Sequence, residues 1–150
     1  MIKYCKEQWA KNEGELRNAL AKNEERNYLC YEDLVKLVVT EVLNKNNNHD
    51  VEWDAENIAV VDNGDYQGTM LYLIPLKTYQ PSEYEYLMAY VGYGSCSGCD
   101  TLQSIQCGYH PTEEEQINDY VGLCRDIVRS IIKPYNTGWR NEEIYERVEE

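Results

Sequence analysis

The first third of the chain has the apolar spacing of helices. Between residues 31 and 43, apolar side chains recur at intervals of three and four, and the asparagine run from Asn46 ends the pattern. The more polar segment from Lys6 to Lys22 has similar spacing, although Gly14 lowers its helix propensity. The sequence therefore predicts two helices in this part. The expected buried side of the first helix comprises Trp9, Leu16, Ala19 and Leu20.

The middle third changes to the short and alternating apolar segments that are typical of strands. Segments 58–61 and 69–74 flank Asp62-Asn63-Gly64-Asp65, in which Asn-Gly favours a hairpin turn. After a turn at 80–82, residues 84–93 alternate between two faces. These segments predict a three-stranded antiparallel meander. The two faces of its last strand would carry Tyr84, Tyr86, Met88 and Tyr90 on one side, and Glu85, Leu87, Ala89 and Val91 on the other.

The last third begins with the clearest helix signal in the chain. Thr112 and Glu115 form a capping-box pattern, and an apolar stripe continues to Ile131 before Pro134 stops it. Cys124 belongs to that stripe and is interpreted as a core thiol. A short terminal helix is expected over 141–149. The predicted fold is α+β, a single domain over residues 1–150, with the three-stranded meander packed against N- and C-terminal helices.

Three cysteines and a histidine follow the predicted meander in the pattern C-x2-C-x7-C-x2-H. The four residues are Cys96, Cys99, Cys107 and His110. Thiolates and imidazole are the ligands of structural zinc, and two-residue gaps let a tight turn present both members of a pair to one ion. We therefore expect a local zinc-binding segment with a closed, structural ion.

Other interpretations of the same residues stay open. The thiols could be unrelated loop residues, or they could form disulfides in an oxidising compartment. Gly94-Ser95-Cys96-Ser97-Gly98 also fits a nucleophile elbow, with His110 as base and Asp100 as orienter, but that elbow belongs on a parallel sheet. A redox role for Cys96 and Cys99 lacks the usual βαβ context. An enzyme is therefore not the favoured expectation, and a small cysteine or zinc hydrolase is the alternative.

The chain carries a net charge of −13, which is unevenly distributed. Residues 1–49 contain eight acids and eight bases, residues 50–100 nine acids and one base, and residues 101–150 ten acids and five bases. Such a field repels nucleic acid and membrane surfaces and attracts basic partners. Fourteen tyrosines and no phenylalanine suit a contact surface, because tyrosine is enriched at interfaces. We expect a basic protein surface as partner, no direct nucleic acid binding and no membrane insertion.

Two segments of the central third carry a resemblance to known proteins. Asp65-Tyr66-Gln67-Gly68-Thr69 and the stretch from Tyr93 to Gln103, YGSCSGCDTLQ, resemble a family of small phage and prophage proteins, over roughly Asp62 to Gln106. Among small acidic, metal-containing phage proteins, the chain looks like an anti-CRISPR inhibitor of the type II effector nuclease. The resemblance supports Cys96 and Cys99 as ligands, whereas Cys107 and His110 rest on spacing.

The resemblance and the charge together predict a phage-encoded protein that acts in the host cytoplasm. It would inhibit an RNA-guided effector nuclease by stoichiometric binding through its acidic surface, because such nucleases present positively charged channels. Structural zinc would hold the binding face rigid. The remaining alternative is a phage interaction module with an unknown partner.

Overall fold

Helices from both the N-terminal and the C-terminal part of the chain share one hydrophobic core with an antiparallel sheet. The computed structural model describes residues 2–48, 50–136 and 143–147. The helices are α1 (Ile2–Lys22), α2 (Tyr31–Leu37), α3 (Thr101–Cys107) and α4 (Glu113–Arg129). The helix α2 continues in π-helical geometry over Val38–Leu43, and a short 3₁₀ turn, Arg26–Tyr28, precedes it. The predicted α+β class is confirmed.

Within the described ranges the sheet contains five strands, two more than the sequence predicted. Neighbouring strands are antiparallel and follow each other in chain order. The predicted meander is therefore present as the first three strands, but it continues into a C-terminal hairpin. The strands are β1 (Ala59–Asp62), β2 (Gly68–Pro75), β3 (Tyr86–Tyr93), β4 (Ile132–Asn136) and β5 (Glu143–Arg147).

The meander buries one of its faces. Tyr72 pairs with Ala89 and Ile74 pairs with Leu87, and all four of these side chains are buried. The intervening residues of β3, including Tyr90, are more exposed, as the alternating sequence predicted. The helix α4 lies centrally, in contact with α1, α2, α3 and β3.

Two expectations for the last third are wrong. The helix α4 ends at Arg129 rather than running to Pro134, and Pro134 lies within β4. Residues 143–147 form β5 instead of part of a terminal helix, because they pair with β4 from Ile132 to Asn136. The remainder of the predicted helix, at 141–142 and 148–149, lies outside the described residues.

Two buried amide side chains join α1 to the end of the second helix. The last carbonyls of a helix have no partner within that helix. Asn12 Nδ2 donates to the carbonyls of Val42 at 2.8 Å and Lys45 at 2.6 Å, and Gln8 Nε2 donates to Leu43 at 3.1 Å and Lys45 at 2.9 Å. Both amides are almost fully buried. They therefore fix the packing of α1 against the π-helical segment.

The C-terminal hairpin joins the meander along a narrow seam. In the part of the chain that the structure describes, the register of β3 with β4 consists of one residue pair, Met88 with Ile132. Beside it, the backbone amide of Tyr90 donates to Ser130 Oγ at 3.0 Å, and Lys133 donates to the carbonyl of Tyr84. Within the described residues, no helix has the length and apolar character needed to cross a bilayer.

Candidate functional site

The cysteine segment that follows β3 forms a tight turn, which we call the cysteine loop (residues 94–100). The backbone amide of Cys99 donates to the carbonyl of Cys96 at 3.0 Å and closes the turn. The same turn brings Cys96 Sγ within 2.8 Å of Cys99 Sγ, and both residues are exposed. The C-x2-C spacing therefore pairs these two sulfurs as predicted.

A buried carboxylate anchors the cysteine loop. Asp100 Oδ2 accepts a hydrogen bond from the backbone amide of Gly94 at 2.9 Å, and Oδ1 accepts from Gln103 N at 2.9 Å and from the Tyr31 hydroxyl at 3.0 Å. Asp100 is thus the N-cap of α3 and a bridge to α2. Sequence reasoning considered Asp100 only as an orienter of a catalytic histidine. Asp100 and Gln103 have the spacing of an N-cap and its partner three residues later, just before an apolar residue. This pattern was the sequence signal for the role of Asp100 as a helix cap.

The structure does not bring Cys107 and His110 to the paired cysteines. Cys107 ends α3, and seven residues at about 1.5 Å each make a helix about 10 Å long. The ring of His110 contacts the carbonyl of Ile105 through Nε2 at 2.8 Å, and its Nδ1 lies 3.5 Å from Asp119 Oδ2. Within the described part of the chain, no three His, Cys, Asp or Glu side chains converge as a metal site. The four-ligand zinc centre is therefore not assembled here, and it stays a prediction.

The residues of the nucleophile elbow are also directed elsewhere. Both oxygens of Asp100 accept hydrogen bonds from groups other than His110, and the contacts of His110 are with Ile105 and Asp119. A triad needs the base within hydrogen-bond reach of the nucleophile and the orienter within reach of the base. This geometry does not support Cys96, His110 and Asp100 as a catalytic unit.

The Cys99 thiol is surrounded by hydrogen-bond donors of its own turn. Its Sγ accepts a hydrogen bond from the backbone amide of Cys96 at 3.1 Å. Hydrogen bonding, first from the Cys96 thiol and then from backbone and side-chain groups of Cys96 and Ser95, lowers the pKa of the Cys99 thiol below its ordinary value. Cys124, by contrast, is buried in α4, and burial raises its pKa to about 12. The prediction that Cys124 is a core thiol is confirmed.

An open groove of about 1030 Å³ separates the cysteine loop and α3 from α4. The α4 wall carries three exposed carboxylates and one guanidinium, and Tyr109 stands at the rim with 89% of its surface exposed. We call this region the acidic groove. Its charged side chains on α4 are Glu115, Asp119, Arg125 and Asp126.

The N-terminus of α4 is held in place by its cap residue and by Arg26. Thr112 Oγ1 accepts from Glu115 N at 3.2 Å, which confirms the predicted cap. Arg26 forms an ion pair of 2.8 Å with Glu113 and donates from Nε to Gln116 at 3.0 Å. The Tyr120 hydroxyl donates to the carbonyl of Arg26 at 2.7 Å. The wall of the groove is therefore part of the packed helical layer.

Comparisons with protein-family models, with curated proteins and with solved structures found no match to this chain. Function must therefore be inferred from the residues and their geometry.

Proposed function

We propose that the protein is a stoichiometric inhibitor that binds a basic protein surface through the acidic groove and carries out no reaction on that partner. The observation that carries the proposal is the chemistry of the groove. Three exposed carboxylates and one arginine line the α4 wall beside an exposed tyrosine, and one of the carboxylates, Asp126, is 3.7 Å from Arg129 of the same helix. Complementary charge steers partners into such a surface and fixes their register.

The distribution of ion pairs supports this choice of surface. In the N-terminal helices, carboxylates and bases neutralise each other on the same helix face at i,i+4 spacing. In residues 50–100 the one base, Lys77, is already 2.7 Å from Glu52, so the remaining acids there lack a basic partner from their own segment. The excess negative charge of the sequence therefore lies downstream of residue 49, and α4 itself carries five acids against two bases. The neutralised pairs are Lys3–Glu7, Arg17–Glu13, Lys36–Glu32 and Lys45–Glu41.

Exposed tyrosines supply anchors of the kind that binding surfaces use. Tyr109 lies at the groove, and Tyr66 projects from the β1–β2 turn with 84% of its surface exposed. Tyrosine gives a large amphipathic contact area, and it is enriched among residues that dominate binding energy. Tyr109 would therefore pack against the partner while the carboxylates of α4 meet its basic side chains.

The proposed target is an RNA-guided type II effector nuclease in the host cytoplasm. The sequence resemblance to phage-encoded inhibitors supports this target, as does the positive charge of the channels that hold nucleic acid in such nucleases. A bound acidic protein would compete with nucleic acid for those channels. Structural zinc is not needed for this proposal, and elemental analysis of the purified protein decides whether the four-residue centre forms.

The test is a titration of the purified protein against an effector–guide complex, with target-DNA loading and cleavage as readouts. We expect both to fall as the inhibitor approaches one equivalent, and the inhibition to weaken with rising salt. Unchanged loading and cleavage at excess inhibitor would rule out this target.

A charge-matched pair of variants tests the surface. Neutralising the groove by Glu115→Gln, Asp119→Asn and Asp126→Asn should slow association by about tenfold or more. The control neutralises three exposed acids elsewhere, by Glu7→Gln, Glu24→Gln and Glu25→Gln, and should retain most of the association rate. Equal losses in the two variants would indicate that net charge alone, rather than the groove, drives binding.

A further inference from the structure

The two sulfurs of the cysteine loop are closer than a shared zinc ion requires. Thiolates bound to tetrahedral zinc at about 2.3 Å each would lie about 3.8 Å apart. Cys96 Sγ and Cys99 Sγ are 2.8 Å apart. A disulfide bond is about 2.0 Å long, so a displacement of about 0.8 Å separates this arrangement from a covalent bond.

The surroundings of the pair hold the sulfurs at this distance. Gly94 lies against Cys99, and a Cβ at Gly94 would lie 2.7 Å from Cys99 Sγ and 2.5 Å from the Cys99 carbonyl oxygen. The Gly94 amide is itself fixed by Asp100 at 2.9 Å. The absence of a side chain at Gly94 therefore permits the close packing that aims Cys99 at Cys96.

The pair is accessible, and among the described residues no further ligand completes a metal site around it. Cys96 and Cys99 are both exposed, so a small molecule can reach the sulfurs. The other members of the predicted centre, Cys107 and His110, do not join them. Two adjacent, exposed thiols without further ligands are suited to exchange with a disulfide.

We infer that Cys96 and Cys99 form a redox dithiol. The pair reduces disulfides of small thiol compounds, and in doing so the two cysteines become joined by an intramolecular disulfide bond. This inference is independent of the proposed partner. One cysteine thiolate attacks a sulfur of the disulfide RSSR, forms a mixed disulfide and releases RS⁻. The second thiolate attacks the protein-bound sulfur of that mixed disulfide, forms the Cys96–Cys99 bond and releases the second RS⁻. The protein loses two electrons and two protons, and RSSR leaves as two RSH.

Oxidised glutathione is the probe, applied to the reduced, full-length protein across a series of reduced-to-oxidised ratios. Free thiols are then alkylated, and the peptide that contains Cys96 and Cys99 is weighed. We expect both residues to lose their free thiols together, with a mass loss of two hydrogens in that peptide and no retained glutathione. Cys107→Ser, which removes another exposed thiol, should give the same result.

Single substitutions in the pair give the opposite expectation. Cys96→Ser and Cys99→Ser cannot close the internal bond, so each should accumulate a glutathione adduct at least about tenfold above the level in the unsubstituted protein. Circular dichroism verifies that both variants fold. Two results would overturn the inference: stable glutathione adducts on the unsubstituted pair, or tightly bound zinc that involves both sulfurs and blocks their oxidation.

Discussion

The Tyr31 hydroxyl donates a hydrogen bond of 3.0 Å to Asp100 Oδ1, across a sequence separation of 69 residues. The same hydroxyl accepts from the backbone amide of Leu102 at 3.2 Å. The other oxygen of Asp100 accepts from Gly94 at 2.9 Å. One tyrosine and one carboxylate therefore connect the start of α2, the cysteine loop and the first turn of α3.

Removing one acceptor of this connection should destabilise the fold. In Asp100→Asn, the amide nitrogen replaces one carboxylate oxygen and cannot accept from a backbone amide. We expect the free energy of unfolding to fall by about 1–3 kcal/mol, because a buried donor loses its partner. Urea denaturation monitored by tryptophan fluorescence measures the change. The same substitution at the exposed Asp65 should change stability by no more than about 0.5 kcal/mol. Comparable losses at both positions would contradict the assigned role of Asp100.

Alkaline pH should weaken the fold through Tyr31. Burial raises the pKa of Tyr31 to about 12, with a further contribution from Asp100. Because the unfolded phenol titrates near 10, the folded state retains a proton that the unfolded chain loses. The stabilising contribution is complete below about pH 10 and is lost as the pH rises to about 12.

The measurement is urea denaturation between about pH 8 and about pH 11, since this range spans the unfolded titration of tyrosine. Tyr31→Phe should show a shallower loss of stability over this range than the unsubstituted protein. Tyr28→Phe, at a site with 87% exposure, should retain the original slope. A slope that Tyr31→Phe leaves unchanged would exclude Tyr31 as a contributor.

The buried amide of Asn12 should be needed for the packing of α1 on the second helix. Asn12→Ala leaves the carbonyls of Val42 and Lys45 without this donor, so we expect a loss of about 1–3 kcal/mol in the free energy of unfolding. Asn18→Ala lies on an exposed position of the same helix and serves as the control. Because alanine favours helices, the control should be neutral or slightly stabilising. A neutral Asn12→Ala would contradict this role and show that the donor Gln8, which contacts the same two carbonyls, suffices.

Two glycines should respond oppositely to alanine. A Cβ at Gly64 would lie 2.1 Å from the carbonyl oxygen of Gln67, so Gly64→Ala must displace the β1–β2 turn and should cost about 1–3 kcal/mol. Gly14 lies within α1, and a methyl group added there would meet no atom of another element within 4 Å, so Gly14→Ala should stabilise by up to about 1 kcal/mol. Thermal unfolding of the two variants provides the comparison. Destabilisation by Gly14→Ala would indicate an unrecognised packing constraint in α1.

Local patterns predicted the elements whose partners are close in sequence. The meander followed from alternation and from the Asn63-Gly64 turn, and the start of α4 followed from Thr112 and its capping box. The C-terminal strand was predicted as part of a helix with Asn141 as its cap, whereas pairing with β4 determines its conformation. Long-range polar contacts, such as those of Asn12 with the second helix, leave no pattern in a single sequence.

The candidate site was predictable only in part for the same reason. The C-x2-C spacing brought Cys96 and Cys99 together because a tight turn suffices for that contact. Cys107 and His110 do not join them, because residues 101–107 form the helix α3. The sequence pattern instead predicted this stretch as part of the zinc-binding segment. The sequence indicated an excess of acidic residues in the C-terminal two thirds of the chain. It could not locate the acidic groove, because the position of the groove depends on how α3 packs against α4.

The described strands β3 and β4 pair at one residue, whereas β2 and β3 pair at eight. The C-terminal hairpin is therefore held to the sheet more weakly than the strands of the meander are held to each other. A hairpin attached at Met88 and Ile132 can separate without breaking the register of the meander. Amide hydrogens of β4 and β5 should therefore exchange with solvent through partial openings of lower free energy than those that release β2. Detachment of the C-terminal hairpin would then be the first step by which the native chain loses structure.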